Sequence, residues 1–248
     1  MSASPSQLLV LWDIDHTLIE TRGVGRALYE RAFPQATGKT LTTLANVSGR
    51  TELEILRKTL RDNGVEPSDN AVSHLAAALT RCYDTHRDWL ARQGRVLPGA
   101  AESLAALDTE PRVLQSVLTG NLRDIAQIKV QVFGLTRYLD LSIGAYGDDH
   151  VDRADLVKIA QCNASVKGSD TFDGANTVLI GDTTRDVAAG LKAGTRVIGV
   201  ATGKSSLREL REAGAGTVLP DLGNTQALVR AVLGDSPSPG TNCPQAIG

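Results

Sequence analysis

Apolar residues fall along the chain in two kinds of pattern. Leu8–Ile14 is a nearly unbroken apolar run that ends among acidic residues, the pattern of a strand buried on both faces whose carboxyl end opens onto a polar site. Similar short runs recur at Arg112–Thr119, Leu139–Ile143, Thr177–Ile180, Arg196–Val200 and Thr217–Leu219, most of them bounded by Gly, Asp or Pro. Between them the period is helical: Pro98–Leu107, Asn121–Phe133, Asp152–Ala164, Thr183–Ala193, Ser205–Ala213 and Thr225–Leu233. Strand and helix in alternation predict an α/β fold with a doubly wound parallel sheet of Rossmann-like type.

The alternation stops between residues 20 and 92. Helical periodicity continues there in Val24–Phe33, Glu52–Asn63 and Ser68–Arg92 without a convincing strand. The pattern predicts an inserted all-helical domain over 20–92 and a discontinuous core formed by 1–19 and 93–234. Gln93-Gly94-Arg95 and Leu97-Pro98-Gly99 supply breakers where the chain returns to the sheet. Residues 235–248, rich in Pro, Ser, Gly and Asn, are expected to form a disordered tail. No internal repeat is visible.

Composition narrows the classes of partner. A chain of 248 residues with 42% hydrophobic residues can remove roughly 70–75% of its unfolded surface from water, so it needs neither disulfides nor a structural metal to fold. Lys+Arg number 26 against Asp+Glu 28, a net charge of −2, which excludes a global positive field for nucleic acid. Two Trp, four Tyr and three Phe offer little for base stacking. Cys82, Cys162 and Cys243 are odd in number and lack CxxC spacing, which suits reduced thiols. Residues 1–7 carry no basic leader, and Leu8–Trp12 is too short for a signal or membrane segment. A soluble cytoplasmic protein is expected, either monomer or homodimer, without a membrane partner.

Four clusters could carry chemistry. Asp13 and Asp15, two apart at the end of the first strand, point to one side at the edge where open α/β sheets bind ligands. Asp182 and Asp186, four apart at the opening of a helix, also share a side. As isolated features both pairs also have an ordinary explanation as turn, cap or dipole residues. If the two strand ends adjoin, each close pair repels by ~1–4 kcal/mol, and a divalent cation would relieve the repulsion. Oxygen ligands without Cys or paired His favour Mg2+ over Zn2+. Thr119, Gly120 and Asn121 join a strand to a helix, and form either an ordinary turn or an anion-binding corner. Arg153 opens another helix one strand before Asp182, where it is either a solvated residue or a bridge between carboxylate and phosphate. Lys158, one turn further on, is its nearest substitute.

Taken in order, Asp13-x-Asp15-x-Thr17, Thr119-Gly120-Asn121, Arg153 and Gly181-Asp182-x-x-x-Asp186 resemble the four motifs of the haloacid dehalogenase superfamily over about residues 8 to 220. The resemblance implies a squiggle and flap at Leu18–Gly23 and a helical cap over 20–92. It further implies that Asp13 is a nucleophile forming an aspartyl-phosphate, and that Asp15 is the acid and then the base. Asp13, Asp182 and the Asp15 backbone carbonyl would bind Mg2+, with Asp186 holding the metal's water shell or Arg153. The transition-state oxygens would be met by Arg153, Thr119 and backbone N–H groups. The third motif is more often Lys in that family, so Arg153 is a departure in reach and hydrogen-bond geometry. The second aspartate, Asp15, argues against dehalogenation, which needs no acid on an alkyl leaving group.

Ser48-Gly49-Arg50-Thr51 resembles the specificity loop of β-phosphoglucomutase-like and phosphoglycolate-phosphatase-like members. Arg50 is its anion contact unless it is simply solvated beside an N-cap Thr51, and Arg22 and Arg26 are weaker candidates. The resemblance implies a Mg2+-dependent phosphatase on a small phosphorylated metabolite. A phosphomutase using the same intermediate and a non-catalytic phosphometabolite binder are the alternatives. A phosphonate hydrolase would need a cap lysine, for which Lys39 and Lys58 are candidates. His16, His74, His86 and His150 show no metal spacing and are read as structural.

Overall fold

The computed structural model describes residues 7–168 and 170–234; the tail expected at 235–248, and Cys243 within it, lie outside the described residues. In chain order the elements are β1 (Leu8–Trp12), β2 (Ile19–Glu20), α1 (Val24–Thr37), α2 (Glu52–Asp62), α3 (Asp69–Thr85), α4 (Arg87–Gln93), β3 (Arg95–Val96), α5 (Ala100–Asp108), β4 (Val113–Val117) and α6 (Arg123–Val132). After a single 3-10 turn (Thr136–Tyr138) come α7 (Arg153–Lys167), β5 (Thr177–Gly181), α8 (Thr184–Lys192), β6 (Arg196–Val200), α9 (Leu207–Glu212), β7 (Thr217–Leu219) and α10 (Thr225–Leu233).

Five strands form one parallel sheet in the order β4-β1-β5-β6-β7. β1 is central and its residues are all buried. The alternation of side chains along a strand sends Val10 and Trp12 into a core shared with α5, α6 and α10. Leu9 and Leu11 go to the opposite face, against Leu156, Val157 and Ala160 of α7. Burial on both faces is why the run reads as continuously apolar rather than alternating. The fold is the α/β, doubly wound parallel sheet that the strand-helix alternation predicts, and the carboxyl ends of β1, β4 and β5 lie side by side.

Three segments differ from expectation. Leu139–Ile143 is not a strand. Asp140 Oδ1 accepts hydrogen bonds from the Ser142 amide at 3.1 Å and from its hydroxyl at 2.7 Å, an Asx-type turn that competes with extended pairing. The turn still hangs on the β4 edge, where the Asp140 amide donates to the Gln115 carbonyl at 2.9 Å and the Ser116 hydroxyl to the Asp140 carbonyl at 2.7 Å, but beyond it the pairing resumes as an isolated bridge, Leu118 to Ala145. Ser68–Arg92 is not one helix: it breaks at His86, whose backbone leaves helical geometry and whose Nδ1 lies 2.8 Å from the Cys82 carbonyl. The third difference is the antiparallel pair β2–β3, where Glu20 meets Arg95 at 2.8 Å. It ties the chain's departure from the sheet to its return, and two residues per strand are too few to show a period.

Helices α1 to α4 share an apolar cluster built on Leu28, Phe33, Leu56, Leu60, Leu75 and Leu79, which is closed by Leu122 at the N-cap of α6 and by Ile125 and Ile128 within it. Among the described residues no helix is long and apolar enough to cross a membrane.

Candidate active site

β1 and β5 are adjacent, so the residues that follow them converge. Asp13, Asp182 and Asp186 are all buried, and each offers a carboxylate oxygen within 4.8 Å of the others. Glycine is required at two of the approaches. A Cβ on Gly181 would sit 2.4 Å from the Asp186 carboxyl carbon, and one on Gly203 would fall 1.7 Å from Asp182 Oδ2. Asp182 does not cap α8; Thr183 does, in a capping box whose reciprocal partner is Asp186. Asp186 Oδ2 accepts from the Thr183 amide at 3.0 Å and from its hydroxyl at 2.6 Å, so the dipole and cap explanation of this residue holds for one of its oxygens. Its other oxygen faces Arg153.

Arg153 is buried at the start of α7, and its Nη2 lies 2.8 Å from Asp13 Oδ1 and 2.6 Å from Asp186 Oδ1. The approach to Asp186 has ion-pair distance without hydrogen-bond alignment, which leaves Asp186 Oδ1 a buried oxygen with no donor. One guanidinium thus serves several carboxylates. Burial, together with the charges of Asp186 and Asp15, pushes the Asp13 carboxyl up to about 7, although Arg153 opposes the rise. Burial and the neighbouring Asp13 and Asp186 push Asp182 up in the same way, to about 9. These desolvated, mutually repelling oxygens, one of them without a donor, are what a hard divalent cation would compensate. Lys158 is no substitute for Arg153, since it is exposed and pairs with Asp155 at 2.9 Å.

Asp15 lies in a different environment. Lys129 Nζ donates to Asp15 Oδ1 at 2.8 Å and Oδ2 at 2.6 Å and to Asn121 Oδ1 at 2.7 Å, while Asn121 Nδ2 donates to Asp15 Oδ2 at 2.7 Å. Burial alone would raise Asp15, but the Lys129 charge and these hydrogen bonds hold it below the usual carboxylate range. Lys129 in turn is held above the ordinary ammonium value by Asp15, against its own burial. The helix expected from Asn121 begins only at Arg123 and has no side-chain cap. Asn121 instead folds back, donating from its amide and Nδ2 to the Thr119 hydroxyl at 3.3 and 2.7 Å. His16, next in sequence, has φ 62°, and its carbonyl accepts from the Thr202 hydroxyl at 2.5 Å.

These groups open into one cavity of about 270 Å³ between the sheet edge and helices α1 to α3. Asp13, Asp15, Thr119, Gly120, Asn121, Arg153 and Asp182 line it, as does Arg50. Asp186 is packed behind that wall. The helical side meets the sheet edge directly: the Glu52 amide donates to the Gly120 carbonyl at 2.6 Å, and a Cβ on Gly120 would sit 2.1 Å from the Arg50 carbonyl. Arg50 is neither free nor solvated, since it is bound to Glu54. Thr51 is the N-cap of α2, yet its hydroxyl makes no cap hydrogen bond. Arg26 lines the cavity and pairs with Glu30, whereas Arg22 pairs with Glu20. Lys39 is bound to the Gly64 carbonyl and Lys58 to Asp62, and neither lines the cavity. Two lysines do, Lys129 and Lys204; Lys129, which is buried against Asp15, was missed by sequence reasoning together with Tyr29, Glu52 and Tyr83. The available signal for Lys129 was its place among Ile125, Ile128 and Val132 on the apolar stripe of α6.

Residues 10–200 match the family described as haloacid dehalogenase-like hydrolase. The protein named probable phosphatase IndB, of Dickeya dadantii (strain 3937), is 29% identical over 154 residues, 60% of this chain and 63% of that protein, so the match spans less than two thirds of the relative. A hydrolase from Pseudomonas syringae superposes with TM-score 0.68 at 22% identity, covering 91% of this chain and 99% of the other. CbbY from Rhodobacter sphaeroides in complex with phosphate gives TM-score 0.67 at 18% identity, covering 88% of this chain and 96% of the other. At these identities the solved structures speak for the fold.

Proposed function

This chain belongs to the haloacid dehalogenase-like hydrolases, and from that membership and the site's geometry we propose that it is a Mg2+-dependent phosphatase acting on a small phosphorylated metabolite. The observation that carries the reading is the pairing of two aspartates in opposite environments at one cavity. Asp13 is set among other carboxylates and Arg153, and Asp15 is held by Lys129 and Asn121.

In this reading an Asp13 oxygen attacks phosphorus, the ester P–O bond breaks, and an aspartyl-phosphate forms while Asp15 gives its proton to the leaving oxygen. For that step Asp15 takes up a proton against the Lys129 charge that holds it low, and the negative phosphate beside it offsets that charge. In the second step its carboxylate takes a proton from water, the water oxygen bonds to phosphorus, and Asp13 is released with inorganic phosphate. Arg153 stays charged throughout and meets the phosphoryl oxygens together with the Thr119 hydroxyl and the Gly120 and Asn121 amides. Asp186 acts as a positioning residue, since Thr183 fixes one of its oxygens and the other faces Arg153. Asp13, Asp182 and the Asp15 backbone carbonyl would hold Mg2+, with Asp186 behind them, and the bound ion would add positive charge where the transition state needs it. Residues 20–92 act as a cap over the core formed by 1–19 and 93–234, and the Glu52-to-Gly120 contact is its closed position, which keeps bulk water from the intermediate. Arg50 is placed to contact the substrate once it leaves Glu54.

Phosphate release from a metabolite panel, with Mg2+ or with EDTA and with Asp13→Asn alongside wild type, tests the proposal. Activity unchanged by EDTA and by Asp13→Asn would sink it. Label passing to a second position of a sugar instead of to water would replace the phosphatase by a phosphomutase, and binding without turnover by a non-catalytic binder.

A further inference from the structure

Beyond the reacting end, the cavity runs between α1, α2 and α3, where Tyr29, Glu52 and Tyr83 face Leu44 and Ile55. Glu52 is buried, and its hydrogen-bond donor among the described residues is the Tyr29 hydroxyl, a neutral group. Three of the five cations that line the cavity are committed elsewhere. Arg26 is bound to Glu30, Arg50 to Glu54, and Arg153 to Asp13 and Asp186. Lys204 has no ion pair among the described residues, but it follows Gly203, which packs on Asp182. Lys129 is within electrostatic reach of Glu52 but gives its hydrogen bonds to Asp15 and Asn121. Burial pushes the Glu52 carboxyl up while the Tyr29 hydroxyl and the Lys129 charge oppose the rise, and because Lys129 is shared with Asp15, the inner wall offers, among the described residues, an acid and no uncommitted cation to receive a second anionic group.

A like charge brought into such a partly dehydrated pocket is repelled, whereas O–H and N–H donors find an acceptor in Glu52. We propose that Glu52 is a specificity-determining residue that rejects phosphomonoesters carrying a second anionic group and admits those whose organic part is free of negative charge and donates hydrogen bonds. The proposal rests on the phosphatase reading and narrows its substrate class.

Three esters of nearly equal size separate the cases: 2-hydroxyethyl phosphate, phosphoethanolamine and 2-phosphoglycolate, which end in a hydroxyl, an ammonium and a carboxylate. For wild type, kcat/KM for either donor ester is expected to exceed that for 2-phosphoglycolate by about 10-fold, the scale of one like-charge contact at intermediate dielectric. Glu52→Gln should shrink that ratio by roughly the same factor, chiefly through the KM for 2-phosphoglycolate, because the charge is removed and the shape kept. Tyr29→Phe removes the phenol but keeps the carboxylate, and should keep the ratio. Preference of wild type for 2-phosphoglycolate overturns the proposal, and this comparison holds even if Glu52→Gln does not fold. So does a ratio that Glu52→Gln leaves unchanged or that Tyr29→Phe collapses equally. Turnover of p-nitrophenyl phosphate, abolished by Asp13→Asn, is measured in parallel: if it is absent the phosphatase reading fails too, and if it is present with a reversed ratio only the role of Glu52 falls.

Discussion

The two walls of the cavity treat charge in opposite ways. At the sheet edge, Asp13, Asp182 and Asp186 crowd around a single buried Arg153. On the helical side, cations and acids are matched near the surface: Arg26 with Glu30, Arg57 with Asp69, Lys58 with Asp62. Exposed pairs like these are worth little and cost little, so the helical side spends almost no stability on its charges and can vary them. The edge keeps charges that no stability argument would select, which is the mark of a reacting site. The division teaches where to look for each property: chemistry in the uncompensated cluster, fit in the buried exception on the opposite wall, Glu52.

The sharpest break between the walls is Asp13→Asn, expected to lower phosphate release at least ~10³-fold, as loss of a nucleophile does; single-turnover assays read it, and retained turnover would remove the edge from the chemistry. Next is Lys129→Ala, which leaves Asp15 facing a cavity without its cation. Breaking a buried pair from one side costs ~3–5 kcal/mol, and because Asp15 is about a third exposed the expected loss is ~2–4 kcal/mol, seen by urea denaturation. A smaller effect concerns pH. In EDTA, folded Asp13 and Asp182 retain protons that the unfolded chain has released above about pH 4, so their contribution to stability falls as pH rises towards about 7 and about 9. Asp15, held low, acts in the opposite sense, and its contribution disappears only as pH falls below the usual carboxylate range. Calorimetric scans with EDTA should therefore show Tm dropping between pH 5 and 8, and Mg2+ should reduce the drop; a metal-free Tm rising through that window would contradict the crowding at the edge. The least effect is expected for Arg57→Ala, at most ~1 kcal/mol by denaturation, since its partner Asp69 is almost wholly exposed.

Much of this was readable from the chain because burial on both faces writes a strand into the sequence. β1 and β5 carry no polar residue to blur them, apart from Thr177 at the edge of β5. Leu139–Ile143 has comparable hydrophobicity, but Asp140 and Ser142 inside the run spend their side chains on a turn, a competition that a count of apolar residues does not register. The carboxylates stood out through their spacing after strands. Arg153 could be found because its helix directly precedes β5. Lys129 could not be found in that way, since a lysine on a helix ordinarily belongs to the solvent side and only the neighbouring strand end turns it inward. Glu52 was hidden by its position, because an acid in the first turn of a helix already has an explanation in the helix dipole.

Helix α6 has two masters. Ala126 and Val130 pack into the sheet's core, while Leu122, Ile125 and Ile128, one face around, complete the apolar cluster of the helices that β2 and β3 bracket. The short β2–β3 pair brings the two ends of that bracketed segment together and makes it look like a cassette to be lifted out and exchanged for another. A transplant cut there would strip the cover from Leu122 at the N-cap and from Ile125 and Ile128 on α6, and leave Lys129 facing a foreign wall. A workable graft has to carry the outer face of α6 with it, so the unit of exchange is larger than the unit of insertion.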